Sequence, residues 1–199
     1  MMIRFKTLVI LCLAFIVSSN FYIKTNLKVE AKLSAEELKL YDLIMAYRKA
    51  NRLPVIPLSV SLTYVAQQHC KDLFTNKPDL NKGCNTHSWS DKGTWKSCCY
   101  TADHKQAECM WNKPGELTNY KSNGFEIACG SSEAVYKDFV MTAPYALDSW
   151  KGSVHHNNVI MNKDIWKAVK WNAIGIGIYK GFATVWFGEI ADAEGEPAK

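Results

Sequence analysis

The sequence has no internal repeat and no low-complexity tract, which sets aside collagen-like and disordered chains. It has no Cys-x-x-Cys pair, the spacing common to structural zinc sites. Its apolar N-terminal run, TLVILCLAFIV, is too short to span a bilayer comfortably. The excess of one sign of charge is small too. Without residues 1–31, which carry Arg4, Lys6, Lys24 and Lys28 against Glu30, the net charge falls from +5 to +2. A balance this small gives no reason to propose nucleic acid as a partner. What is present is a 199-residue chain, 48% hydrophobic and 22% charged, with seven Trp and nine Tyr. That is enough to bury a sizeable core in one domain.

The start MMIRFK followed by the apolar run reads as an export signal, with cuts expected near Ser18 or at Ala31. An uncleaved anchor reaching Ile23 is the alternative, although Ser18, Ser19 and Asn20 interrupt it. Residues 1–31 are therefore read as signal and spacer, 34–190 as one domain, and 191–199 as a tail that frays. Cys12 lies in the apolar run, and six cysteines remain. An even number in an exported chain favours disulfides over thiolate metal sites.

The stretch CNTHSWSDKGTWKSCCYTADHKQAECMW holds four of those six, Cys84, Cys98, Cys99 and Cys109. As a zinc knuckle its spacing is poor. Adjacent cysteines rarely bond each other, because a disulfide needs α-carbons farther apart than neighbours allow. Cys84 and Cys109 are thus expected to pair with Cys98 and Cys99, leaving Cys70 to pair with Cys129.

Hydrophobic spacing predicts a first helix over SAEELKLYDLIMAYRKANR, where Ser34 and Glu37 form a capping box, and a second over SVSLTYVAQQHCKDLFTN. Residues 77–123 read as a long irregular region, functional or crosslinked. GFEIACG is a short apolar element, SSEAVYKDFVMT a capped helix, and APYALDSWKGS a further helical turn or two. AIGIGIYKGFATVWFGEI is a pair of strands about a turn at Lys180–Gly181.

Taken in order, YRKANRLPVIPLSVSLTYVAQQH, THSWSD, NGFEIACG, SWKGSVHHNNVIM and AIGIGIY…ATVWFGE resemble the CAP superfamily. This is the domain of cysteine-rich secretory proteins, antigen 5 and pathogenesis-related 1, and the likeness spans roughly residues 34–190. The segment SWKGSVHHNNVIM resembles bacterial members most. The resemblance implies an α+β fold, a three-layer α-β-α sandwich with a central, mostly antiparallel sheet. It also implies a surface cleft with two histidines and one or two carboxylates. Carried over, these are His87 of THSW, Glu126 of GFEIA, and His156, which fits W-x-x-S-x-x-H where His155 does not. Two positions depart from the family. Aligned on its Ile-Ala end, the family's Glu falls on Phe125 and its Asn on Glu126. Ser153 stands where many relatives place a second carboxylate.

His87, Glu126 and His156 are suitable ligands for Zn2+ or another divalent cation, with a fourth position left for water. Zinc acidifies such a water for hydrolysis. Yet if Glu126 ligates the metal no base remains, and if Glu126 is the base only two ligands remain. The expectation is therefore an exported, monomeric binding module, ahead of a metal-dependent hydrolase with Glu126 as its catalytic residue. Lipid or sterol carriage is a third reading. The partner is a protein, glycan or lipid, with membrane contact only through an uncleaved N-terminal segment.

Plainer readings exist for each residue. His87 caps a turn, His156 lines a helix end, His69 is a satisfied core histidine beside Cys70, and His104 is exposed in the loop. Trp150, Trp166, Trp171 and Trp186 read as core. Trp89, Trp95, Trp111 and Tyr100 either pack under the loop or form an aromatic rim for a sugar or lipid. Glu126 sits in an apolar run and, if buried, needs a partner.

Overall fold

A computed structural model describes residues 29–199. The N-terminal apolar run, and with it the choice between signal peptide and anchor, lies outside the described residues. Among them, no helix is long and apolar enough to cross a membrane.

Helix α1 (Ala35–Ala50) starts at the expected capping box. Glu37 N–H donates to Ser34 Oγ at 3.2 Å, and Ser34 N–H donates to Glu37 Oε2 at 2.7 Å. Helix α2 (Val60–Asn76) is capped by Ser59 and ends where Lys77 turns left-handed at φ 53°. Two short helices follow in the irregular region, α3 (Ala107–Trp111) and α4 (Lys113–Leu117). Then come β1 (Gly124–Cys129), α5 (Ala143–Gly152), α6 (Val154–Ile160), β2 (Ala173–Tyr179) and β3 (Phe182–Gly188).

The three strands form an antiparallel sheet in the order β1-β3-β2, so β1 is an edge. Glu126, Trp186 and Gly175 lie side by side in register, and alternation puts them on one face. Helix α2 covers that face. A Cβ on Gly175 would fall 2.0 Å from the Leu62 carbonyl carbon, and one on Gly177 would fall 2.4 Å from that of Ala66. Glycine is required at both because the helix backbone comes this close. On the other face Ile127, Ile174, Ile176, Val185 and Phe187 pack with Leu40 and Ile44 of α1 and with Leu147 and Trp150 of α5.

Two sequence expectations are corrected. SSEAVYKDFVMT forms only a single 3-10 turn, Ala134–Tyr136, rather than a helix. Val135, Tyr136 and Val140 are exposed, and only Phe139 and Met141 at the end reach the core, so no continuous helical face is buried, and burial is what stabilises most short helices. APYALDSWKG, by contrast, is the full ten-residue helix α5.

The second correction concerns the cysteines. Disulfides join Cys84 to Cys99 and Cys98 to Cys109, one of the arrangements expected for the loop. Cys70 and Cys129 are free thiols and do not pair. The sheet separates them. Cys70 points from α2 to Gly177 O and Thr184 Oγ1, whereas Cys129 shares the opposite face of β1 with Phe125 and Ile127.

The segment after β3, expected to fray, makes several hydrogen bonds. Asp192 accepts from Ser59 Oγ, Ser61 N and Ser61 Oγ at the start of α2, and Ala198 pairs with Lys32.

Candidate functional site

Glu126 is carried on β1 toward α2 and is buried. Its carboxylate is shared by two histidines from different elements. Oε1 lies 2.5 Å from His69 Nδ1, and Oε2 lies 2.8 Å from His87 Nδ1. His69 comes from the middle of α2 and has no exposed side-chain surface. Its other nitrogen, Nε2, is 2.9 Å from the Ser88 carbonyl oxygen. A carbonyl oxygen only accepts, so Nε2 carries a hydrogen. His69 Nδ1 and Glu126 Oε1 therefore share one further proton between them, and the buried pair is neutral as a unit. The His69 ring lies flat on Trp89, with centroids 4.1 Å apart and planes 7° apart.

The loop that brings His87 is fixed from below. Ser90 N–H and Oγ–H both donate to the buried Asp72 carboxylate, and Trp89 pairs with Cys98 across a short bridge. His87 N–H is held by Asn85 Oδ1. In the neutral ring, with Nδ1 donating to Glu126, the His87 Nε2 atom is an acceptor. It has no protein partner among the described residues.

Burial alone would raise the Glu126 carboxyl. The charges and hydrogen bonds of His69 and His87 together outweigh it, and the group is held below its ordinary value. Burial is also the main reason that His156 is pushed down to about 4, reinforced by the charges of His87 and His155. Burial, then the Glu126 charge, raises the Tyr100 phenol.

His87, Glu126 and His156 all line one cavity of about 560 Å³ beside the β1 edge. His156 reaches it from α6, as does His155. His104 lines the rim, where its Nδ1 is 2.9 Å from the Tyr100 hydroxyl. The sequence has five histidines; four line the cavity, and the fifth, His69, stands behind Glu126. Phe125, Trp111, Trp166, Met110 and Ile165 supply apolar wall, and Asp164 adds one carboxylate.

Three solved structures share this arrangement of elements in part. One is an outer surface protein of Borrelia burgdorferi, with TM-score 0.50 and 16% identity over 81% of this chain and 98% of that one. The second is an extracellular protein containing an SCP domain from Bacillus anthracis, with TM-score 0.53 and 16% identity over 81% of this chain and 45% of that one. The third is a cysteine-rich secretory protein of Staphylococcus aureus, with TM-score 0.46 and 13% identity over 78% of this chain and 39% of that one. The fold is CAP-like. No family model matches the sequence, and no curated protein matches it.

Within this CAP-like frame the site residues divide. The structure brings Glu126 to His87 and places His156 on the same cavity, but His156 makes no hydrogen bond to either among the described residues. Ser153, at the second-acid position, precedes α6 without a side-chain capping bond and lines the cavity without a charge. Of the acids near it in sequence, Asp148 pairs with Lys151, and neither it nor Glu133 lines the cavity.

The ligand set His87–Glu126–His156 fits a cation poorly. Both Glu126 oxygens are engaged by imidazole nitrogens. Among the described residues, no group of three or more His, Cys, Asp or Glu side chains is arranged to hold a metal ion. Glu126 instead holds the orientation of the His87 ring through its Nδ1.

The partner of Glu126 that sequence reading missed is His69. A signal for it existed: a histidine on the buried face of an amphipathic helix and a glutamate in an apolar strand both need partners, and each answers the other.

Proposed function

We propose that the chain is an exported CAP-domain protein of three-layer α-β-α form with a disulfide-stapled loop, acting as a binding module through the cavity at His87, Glu126 and His156. The observation that carries this reading is the cavity itself. It has the size of small-molecule sites, a mostly apolar wall and a few convergent polar groups. Export is supported by the N-terminal apolar run, by the two loop disulfides, and by the outer-surface and extracellular descriptions of the Borrelia and Bacillus neighbours. A protein, glycan or lipid partner and a monomeric state belong to the same proposal.

Native mass spectrometry of the exported protein tests it. A bound small molecule is expected, and it is lost in Trp166→Ala, which removes part of the apolar wall. A bare protein mass contradicts the reading. One zinc per chain, lost in His156→Ala, restores the cation site that the Glu126 geometry disfavours.

A hydrolase is the second reading. Glu126 behind Nδ1 of His87 is how a general base is oriented in many hydrolases. In that case His87 is the catalytic residue and Glu126 acts through it. Hydrolysis lost in His87→Ala, with the fold intact, supports this second reading.

A further inference from the structure

The cavity also bears on the class of its ligand. Phe125 stands where the family resemblance places the acid, and its ring is packed among indoles. Its centroid is 5.6 Å from Trp111, 5.1 Å from Trp166 and 5.7 Å from Trp171. A charged ligand position is thus replaced by the centre of an aromatic cluster, with Trp111 and Trp166 also lining the cavity. One polar atom beside this wall has a fixed hydrogen-bonding sense. His87 Nδ1 faces Glu126 at 2.8 Å, and in the neutral ring with Nδ1 donating, Nε2 offers a lone pair; it has no protein partner among the described residues. His69 keeps it so, because its own pairing with Glu126 at 2.5 Å holds the carboxylate in place.

An acceptor beside an aromatic wall selects a ligand that is flat, apolar and able to donate one hydrogen bond. An anionic head would meet the lone pair of His87, with the Glu126 carboxylate behind it and Asp164 on the same cavity. A bare cation would find both Glu126 oxygens taken. We propose that the cavity binds a small aromatic alcohol, its ring against Phe125, Trp111 and Trp166 and its hydroxyl donating to Nε2 of His87. This rests on the reading of the cavity as the binding site of the chain.

The test uses the disulfide-intact exported protein and three compounds that share one ring system: 2-naphthol, 2-methoxynaphthalene, which cannot donate, and 2-naphthoate. Binding is followed by calorimetry and by NMR shifts of His87 and the Trp166 indole. The naphthol is expected to bind about tenfold tighter than the ether. His87→Phe is expected to bring the two within about twofold while ring binding persists. Phe125→Glu is expected to weaken both, and Trp166→Ala, at a partly exposed position, tests the same wall if the first variant does not fold. Equal binding of naphthol and ether in the wild-type cavity overturns the aromatic alcohol and leaves the cavity as the binding site. Tighter binding of the naphthoate overturns it in favour of an anion. If none of the three shifts His87 or Trp166, the ligand class and the cavity reading fall together.

Discussion

Glu126 Oε1 and His69 Nδ1, from an edge strand and from the helix that covers it, meet at 2.5 Å with no exposed side-chain surface on either. The contact ties the sheet to α2 and leaves the second carboxylate oxygen for His87. Removing a buried charge costs less than stranding its partner, so the substitutions at 126 are informative. In Glu126→Gln the amide NH2 donates to a neutral His69 Nδ1, and the amide oxygen still accepts from His87. Both imidazoles keep a partner, and a loss of about 1 kcal/mol is expected. In Glu126→Leu both imidazoles lose their partner, and about 3–5 kcal/mol is expected. Urea unfolding of the two variants measures the difference. Equal losses would mean that Glu126 does not bridge the histidines.

The cysteine pattern is checked by peptide mapping without reduction. Cys84–Cys99 and Cys98–Cys109 peptides are expected, with the buried Cys70 alkylated only after denaturation and the half-buried Cys129 sooner. The loops closed are short, 15 and 11 residues in sequence separation. Loss of either disulfide is expected to cost about 2–3 kcal/mol, chiefly through a less restricted unfolded chain. A Cys70–Cys129 peptide would contradict the placement of these thiols on opposite faces of the sheet.

His156 gives the pH dependence a sign. Its folded value of about 4 lies below the ordinary 6.5, so between these values the unfolded chain binds a proton that the folded chain does not. The stability from its neutral state is full above pH 6.5 and is lost as pH falls toward 4. The loss is at most about 3 kcal/mol, less whatever solvent screens. Replacing His156 with Gln is expected to flatten this part of the stability curve. An unchanged slope would mean that His156 is not shielded from water.

Close approach of α2 to the sheet yields another expectation. Gly177→Ala puts a methyl group into the Ala66 backbone, and an overpacking loss of about 1–3 kcal/mol is expected, read as a lower midpoint in urea. A neutral result would place the helix farther from β2.

Much of this was legible in the sequence, and what was not has identifiable causes. The capping box at Ser34 and Glu37 fixed the start of α1, because both partners lie within one turn. The alternation of AIGIGIY and FATVWFG marked β2 and β3, and its small residues reflect how closely α2 lies. Register was the harder part. Moving an acid by one place along a strand sends it to the opposite face. Glu126, one place later than the family's acid, therefore points under α2 to His69, and Phe125 takes the aromatic side. A motif spacing carries no information on that partner, which lies 57 residues away in the chain. SSEAVYKDFVMT failed for the opposite reason: its local pattern is helical, but Val135, Tyr136 and Val140 are exposed, and only Phe139 and Met141 at its end reach the core.

The most direct test of the account is the tautomer of His87. Long-range proton–nitrogen NMR at neutral pH distinguishes a protonated Nδ1 from a protonated Nε2. The Glu126 contact calls for hydrogen on Nδ1, and the binding proposal calls for a neutral ring with a bare Nε2 in the cavity. The same spectrum of Glu126→Leu is expected to lose that preference. A wild-type His87 with hydrogen on Nε2 and a bare Nδ1 would contradict the Glu126 bridge, and with it the cavity acceptor on which the binding proposal stands.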